Sequence, residues 1–168
     1  MKYEIKEMEI SHWEQVREIY IEGIRTKIAT FQSEFDLPSW EKWNQDHIST
    51  CRLVAIFNDV VLGWAALSPY SKRTVYSGVA EVSIYVKKQY IGLGIGKELL
   101  NKLVKVSEDK GFWTLQSGII SENIASIELH KKCGFKIVGI REKLGKMDNG
   151  IWHDVVLMER RSKLIGIT

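Results

Sequence analysis

Residues 79–103, VAEVSIYVKKQYIGLGIGKELLNKL, place a strand pattern, a glycine-rich turn and a helix pattern in direct succession. Apolar and polar side chains alternate over residues 79–86, which predicts a half-buried β-strand. From Ile95 onward, apolar residues recur at three- and four-residue spacing until Gly111, which predicts an amphipathic helix that ends at that glycine. The intervening turn contains Gly92, Gly94 and Gly96. This stretch therefore predicts a strand that enters a helix through a turn suited to glycine.

Such a turn aims unpaired backbone N–H groups and the positive end of the helix dipole at one point. A pyrophosphate would fit there, although a glycine turn that only connects strand to helix is an equally open alternative. A nucleoside-triphosphate loop is excluded, because Ile91 and Glu98 stand where that motif needs glycine and Ser or Thr. The dinucleotide fingerprint is excluded as well, because Lys97 or Leu99 takes the place of its third glycine.

The remaining patterns give the order β-α-α-β-β-β-α-β-α-β-β. Ser39 and Ser121 are the predicted N-caps of the second and fourth helices, and Asn58-Asp59 is the predicted turn of a hairpin. Strand patterns alternating with helix patterns are typical of an α/β or α+β sheet covered by helices on both faces. At 168 residues, the chain is expected to form a single domain, residues 1–168.

Composition and charge narrow the class of protein. Hydrophobic residues make up 45% and charged residues 27% of the chain, a balance typical of a globular protein. The net charge of +3 comes from scattered Lys and Arg, which suits an anionic cofactor but does not indicate nucleic-acid binding. Cys51 and Cys133 have no zinc-ligand spacing around them. No signal peptide or membrane span is predicted, so we expect a cytoplasmic protein without membrane or nucleic-acid partners.

Three stretches, AEVSIYV (80–86), GLGIGKELL (92–100) and SENIASIELHKKCGF (121–135), resemble the core motifs of the GNAT acetyltransferases. Two more, TFQSEF (30–35) and NGIWHDVVLM (149–158), are similar to the branch that contains phosphinothricin and methionine sulfoximine N-acetyltransferases. The resemblance covers nearly the whole chain. It implies a central mixed, mostly antiparallel sheet of about seven strands flanked by about four helices.

The resemblance also implies acetyl-CoA as the cosubstrate and no metal. In this family the turn grips the pyrophosphate, while the preceding strand pairs through its backbone with pantetheine. The implied residues are Ile84, Tyr85, Val86, Ile91, Gly92, Leu93, Gly94, Ile95, Gly96, Lys97 and Asn123. One departure matters: Ile91 stands where the family usually has Arg or Gln, and Leu93 where it is often basic. Binding would then depend on backbone N–H groups and the helix dipole, with help from Lys97.

Glu81 is the first candidate for the base that deprotonates the acceptor amine. A carboxylate on a strand rich in apolar residues is costly unless it is paired or useful, and the resembling acetyltransferases carry a glutamate here. A salt-bridged or solvent-facing strand carboxylate is the alternative. His130 occupies a position where many GNAT enzymes carry a tyrosine thought to protonate the leaving thiolate. It could serve as donor or relay, or it could be a hydrogen-bonded helix histidine.

For the acceptor, the resemblance implies that Arg73 grips a substrate carboxylate, which a bidentate guanidinium suits. Phe31, Tyr76 and Tyr85 match aromatic positions that line the same pocket. Without the resemblance, Arg73 on a polar loop would simply be solvated.

The resulting hypothesis is an acetyl-CoA-dependent N-acetyltransferase that transfers the acetyl group directly, in a ternary complex, to the primary amine of a small amino acid-like acceptor. One alternative keeps the chemistry but changes the acceptor to a polyamine, an aminoglycoside or a protein N-terminus. Another is a non-catalytic CoA-binding module, suggested by the missing basic residue at Ile91. The resemblance further implies a homodimer.

Overall fold

The computed structural model describes residues 1–168 and contains seven β-strands and four α-helices in the predicted order. Short 3-10 turns add to these elements, among them Lys88–Tyr90. None of the helices is both long and apolar enough to cross a bilayer. The elements are β1 (Glu4–Glu7), α1 (Trp13–Arg25), α2 (Trp40–Asp46), β2 (Arg52–Phe57), β3 (Val60–Pro69), β4 (Val79–Val86), α3 (Ile95–Asp109), β5 (Thr114–Ile120), α4 (Ile124–Lys132), β6 (Lys136–Lys146) and β7 (Trp152–Arg161).

The seven strands form one sheet in the order β1-β2-β3-β4-β5-β7-β6. Every neighbouring pair is antiparallel except β4 and β5, which are parallel. The parallel pair requires a crossover connection, and α3 supplies it. The predicted mixed, mostly antiparallel sheet is therefore confirmed.

Helices cover both faces of the sheet and divide the core in two. On one face, α1 and α2 pack an aromatic cluster that includes Trp13, Trp43 and Trp64. On the other, α3 and α4 pack the larger aliphatic cluster. The alternation in β4 follows this division, since Val82, Ile84 and Val86 join the aliphatic cluster whereas Tyr85 packs against the aromatic one.

Local sequence signals account for most element boundaries. Asn58 and Asp59 adopt positive φ values of 47° and 63°, as the predicted hairpin turn between β2 and β3 requires. Ser39 caps α2 by accepting a hydrogen bond from the Lys42 N–H at 3.2 Å.

The predicted cap at Ser121 is wrong: Asn123 caps α4, and its Oδ1 accepts from the Ser126 N–H at 3.2 Å. The cap moves because residues after β5 first form a turn, in which the Asn123 N–H donates to the Ile120 carbonyl.

Candidate active site

The sheet opens between β4 and β5. These strands pair only at Val79–Thr114, Ala80–Leu115 and Glu81–Gln116. Both strands continue beyond these pairs, to Val86 and Ile120 respectively, without a ladder between them. An interior strand thus has one unpaired edge over its second half, where its main-chain groups remain free for a ligand.

The parity of the hydrogen bonds identifies which main-chain groups face this gap. The Gly78 carbonyl accepts from the Trp113 N–H at 2.8 Å and so faces β5, whereas the Lys87 N–H donates to the Leu62 carbonyl of β3 at 2.8 Å. Successive residues of a strand direct these groups to alternate sides. The main-chain groups of Ile84 and Val86 therefore face the gap, while those of Tyr85 face β3. Backbone pairing with a ligand is left to Ile84 and Val86.

The glycine turn lies beyond the end of β4 and leads into α3. Gly92 and Gly94 have φ values of 85° and 83°, a left-handed conformation that favours glycine. Gly94 is the N-cap of α3, and no side chain caps the helix. A Cβ atom at either glycine would meet nothing within 4 Å, so the first N–H groups of α3 are unobstructed. The geometry therefore fits an anion at this helix terminus.

The turn lacks side-chain donors of its own. Ile91 and Leu93 are 64% and 60% exposed, and neither can donate a side-chain hydrogen bond. Ile95 is buried against the core, while Lys97 is exposed on the first turn of α3. Gly96 allows close packing, because a Cβ there would lie 3.3 Å from the Leu129 side chain of α4.

A cleft of about 560 Å³ lies next to the gap and brings several predicted residues together. They come from β4, from α4 and from the loop between α1 and α2. The predicted residues that line the cleft are Phe31, Glu81, Ile84, Tyr85, Asn123 and His130. The Asn123 side chain also caps α4, and this bond leaves its amide nitrogen free.

Glu81 presents an exposed carboxylate to this cleft. Its Oε2 accepts one hydrogen bond, from Gln116 Nε2 at 3.2 Å, and it has no ion-pair partner. The opening between β4 and β5 leaves this charge open to solvent, and Glu81 is not salt-bridged. An accessible, unpaired carboxylate next to free main-chain groups can accept a proton from a bound amine.

His130 is 2% exposed and fully hydrogen-bonded. Its Nδ1 lies 2.7 Å from the Ser126 carbonyl oxygen, which can only accept, so Nδ1 carries the proton. Its Nε2 lies 2.9 Å from Ser117 Oγ and, in the neutral ring, accepts the Ser117 hydroxyl proton. Burial lowers the pKa of His130, and the bond to Ser126 opposes this only in part. The ring is therefore neutral at pH 7, and it contacts the cleft beside Ser117.

Tyr85 belongs to an aromatic stack that supports the cleft. Its ring stacks on Trp64 at 5.0 Å between centroids and meets Tyr20 edge-on at 5.1 Å. Burial raises the pKa of both tyrosines, so both phenols are protonated at neutral pH.

Phe31 is held in place by contacts between two loops. Asp148, in the turn between β6 and β7, pairs with Lys27 at 3.1 Å and accepts from Ser33 at 3.3 Å. The hydrogen bond from Lys27 lowers the pKa of Asp148. The Phe31 ring packs on Gly145, where a Cβ would come within 2.6 Å of the ring. These contacts fix the aromatic wall of the cleft.

The structure does not bring Arg73 and Tyr76 into this cleft. The Arg73 guanidinium lies over the Tyr76 ring at 5.4 Å, and both side chains are exposed on the segment before β4.

Three polar residues that the sequence analysis did not single out do line the cleft: Gln116, Ser117 and Arg141. They come from β5 and β6: Gln116 is the strand partner of Glu81, Ser117 hydrogen-bonds to His130, and Arg141 lies opposite Val155 of β7. No group of three or more His, Cys, Asp or Glu side chains is placed to hold a metal ion.

Comparison with known proteins gives concordant results. The family model described as "Acetyltransferase (GNAT) family" matches residues 13–135. An L-methionine sulfoximine/L-methionine sulfone acetyltransferase from Pseudomonas aeruginosa is 26% identical over 163 residues, which are 95% of this chain and 94% of that protein. A phosphinothricin N-acetyltransferase from Streptomyces viridochromogenes is 30% identical over 146 residues, which are 84% of this chain and 78% of that protein.

A solved structure agrees with these relatives. The crystal structure of a GNAT superfamily phosphinothricin acetyltransferase from Sinorhizobium meliloti, in complex with acetyl-CoA, matches with a TM-score of 0.87 and 29% identity. The match covers 100% of this chain and 92% of that one. The fold therefore agrees over the full length of the chain, and the sequence over up to 95% of it.

Proposed function

Because this chain belongs to the acetyltransferase (GNAT) family and is an N-acetyltransferase with acetyl-CoA as its cosubstrate, we propose that residues 1–168 form a single domain that acetylates a small amino acid-like amine. Transfer is direct, in a ternary complex. The observation that carries the proposal is the placement of the accessible Glu81 carboxylate beside the open main-chain edge of β4, in one cleft.

In this proposal the main chain of β4 and the turn before α3 hold the cosubstrate. Ile84 and Val86 pair with the pantetheine arm, and one of their N–H groups polarises the thioester carbonyl. The N–H groups around Gly92, Gly94 and the start of α3 hold the pyrophosphate, and Lys97 adds a positive charge. Asn123 donates its free amide N–H to the cosubstrate. The support is the unpaired strand edge and the unobstructed helix terminus.

Glu81 accepts the proton of the acceptor amine, directly or through water. The amine nitrogen then attacks the thioester carbonyl carbon, the new C–N bond forms, and the C–S bond breaks. The products are the N-acetylated acceptor and free CoA, whose thiolate takes up a proton. This step requires a carboxylate that the acceptor amine can reach, and the exposure of Glu81 in the cleft supports this role.

His130 has a positioning role in this proposal: its neutral imidazole accepts the Ser117 hydroxyl proton at Nε2 and so fixes the Ser117 oxygen at the wall of the cleft. The thiolate takes up the second proton that the attacking nitrogen loses, through water. If the pair acts as a unit, Ser117→Ala and His130→Asn should lower kcat by similar factors, and the double variant by little more than either. If the losses of kcat in the two single variants add up in the double variant, Ser117 and His130 act independently.

The acceptor proposed is an amino acid analogue such as phosphinothricin or methionine sulfoximine, on which the named relatives act. Phe31 and Tyr85 form the walls of its pocket. Arg73 and Tyr76 remain proposed contacts for the α-carboxylate by family likeness alone, since they lie outside the cleft that contains Glu81.

A thiol-release screen tests this function. We expect purified protein to release CoA thiol from acetyl-CoA steadily in the presence of phosphinothricin or methionine sulfoximine, and far more slowly with spermidine, an aminoglycoside or an N-terminal peptide. Reactions without an acceptor give the background hydrolysis. Release with one of the other amines would reassign the acceptor, while CoA binding without any release would favour a non-catalytic module.

We also propose a cytoplasmic homodimer. In support, the edge strand β6 exposes Ile137, Val138 and Ile140, and apolar edge strands favour association with a second copy. We expect sedimentation equilibrium to give twice the chain mass of 19.4 kDa. Ile140→Glu should shift the protein to monomer, whereas Ile10→Glu, at a residue equally exposed near the opposite edge of the sheet, should not. A wild-type monomer would contradict the proposal.

A further inference from the structure

The cleft contains one cation that no protein group neutralises. Among its lining residues only Glu81 and Arg141 carry a formal charge, because His130 is neutral. Arg141 is exposed on β6 and makes no side-chain hydrogen bond or ion pair. By contrast, Arg25 and Arg160 pair with Glu34 and Glu108. A free guanidinium facing a binding cleft is suited to an anionic oxygen group.

The surroundings of Arg141 strengthen such an interaction. Leu144, Val155 and Leu157 also line the cleft, from β6 and β7, and Val155 is the strand partner of Arg141. Apolar walls reduce the screening of a charge pair by water. An acceptor that fills the cleft would displace water from between these walls, and its pair with Arg141 would then be less screened than a pair on the open surface.

The sheet also sets the distance between the two charges. Two strands, β5 and β7, lie between β4 and β6, which separates the main chains of Glu81 and Arg141 by roughly 14 Å across the sheet. Glu81 pairs with Gln116, whereas Arg141 lies opposite Val155 and so level with Ile120, four residues or roughly 13 Å further along the strands. Both side chains must therefore extend toward a bound acceptor. An α-carboxylate, one carbon from the amine, stays near Glu81. A group at the far end of the acceptor side chain can approach Arg141.

We propose that Arg141 binds an anionic group at the distal end of the acceptor side chain, and thereby selects acceptors with an anionic side chain over neutral ones. This inference rests on the proposed function, because it assumes that the amine is deprotonated at Glu81. Of the two acceptors named above, phosphinothricin carries a phosphinate anion at this end, whereas methionine sulfoximine is neutral there. The enzyme is therefore expected to prefer acceptors that, like phosphinothricin, carry an anionic group at the end of the side chain.

The test compares kcat/KM for the two acceptors in the wild type, in Arg141→Gln and in Arg141→Lys. We expect Arg141→Gln to lower kcat/KM for phosphinothricin by about 10- to 100-fold, mainly through KM, with less than about a threefold change for methionine sulfoximine. Arg141→Lys should recover part of the loss, because lysine restores the charge without the planar fork. Lys136→Gln removes another exposed cation of β6, outside the cleft, and should change neither value.

Equal losses for both acceptors, or no loss for either, would overturn the inference. Calorimetric titration of phosphinothricin into protein saturated with CoA reads binding without turnover. If the wild type binds phosphinothricin at least tenfold more tightly than Arg141→Gln but acetylates neither acceptor, the proposed function fails and the role of Arg141 stands. If wild type and Arg141→Gln bind phosphinothricin with equal affinity, the proposed role of Arg141 is wrong, whether or not the protein acetylates either acceptor.

Discussion

Replacing Glu81 with Gln should lower kcat for acetyl transfer by about 10²- to 10⁴-fold, the range for loss of a positioned general base. The amide has nearly the same shape but cannot accept the proton of the acceptor ammonium. The fold should not suffer, because Glu81 is exposed and makes a single side-chain hydrogen bond, to Gln116. The affinity for CoA should stay within about twofold, since the strand edge that pairs with it is main chain.

The measurement is thiol release under saturating acetyl-CoA, together with CoA binding by calorimetry. Glu128→Gln serves as the matched control, because it removes a carboxylate whose only partner is Lys131 on the surface of α4. We expect this control to keep wild-type kcat. If Glu81→Gln and wild type release thiol at the same rate, Glu81 is not the base and the amine is deprotonated by another group or by solvent.

Most of the fold was predictable because its signals are local. Period-two and period-3.6 patterns gave the order of the elements, and turn chemistry located the hairpin at Asn58-Asp59 and the helix end at Gly111. The misplaced cap at Ser121 shows the limit of such signals. Ser and Asn are both good N-caps, and the choice between Ser121 and Asn123 depends on how the chain leaves β5.

The candidate site was less predictable, since it depends on strand register. Alternation in β4 placed Glu81 on the polar face, but it could not reveal that β4 and β5 separate directly after Glu81. The pattern alone therefore left open whether this carboxylate is salt-bridged, solvent-facing or catalytic. Gln116, Ser117 and Arg141 lie on other strands, and only long-range pairing brings them to the cleft. The free main-chain groups of Ile84 and Val86 leave no trace in side-chain identity.

The second large effect is expected at Gly94. Gly94→Ala should raise KM for acetyl-CoA by about tenfold or more, because it places a methyl group where the anion meets the first N–H groups of α3 and opposes the left-handed backbone. Ile91 and Leu93 offer no side-chain donor, so the main chain at this turn carries most of the pyrophosphate contact. Once acetyl-CoA is saturating, kcat should return close to the wild-type value.

Gly111→Ala distinguishes a specific role of Gly94 from general strain. Gly111 follows the other end of α3, has a similar φ of 88°, and its Cβ would also meet nothing within 4 Å. Both variants should lose similar stability in urea unfolding, since each forces alanine into the same backbone conformation. Only Gly94→Ala should change KM. If the two variants raise KM equally, the turn serves the fold alone, and the pyrophosphate must be held elsewhere on the protein.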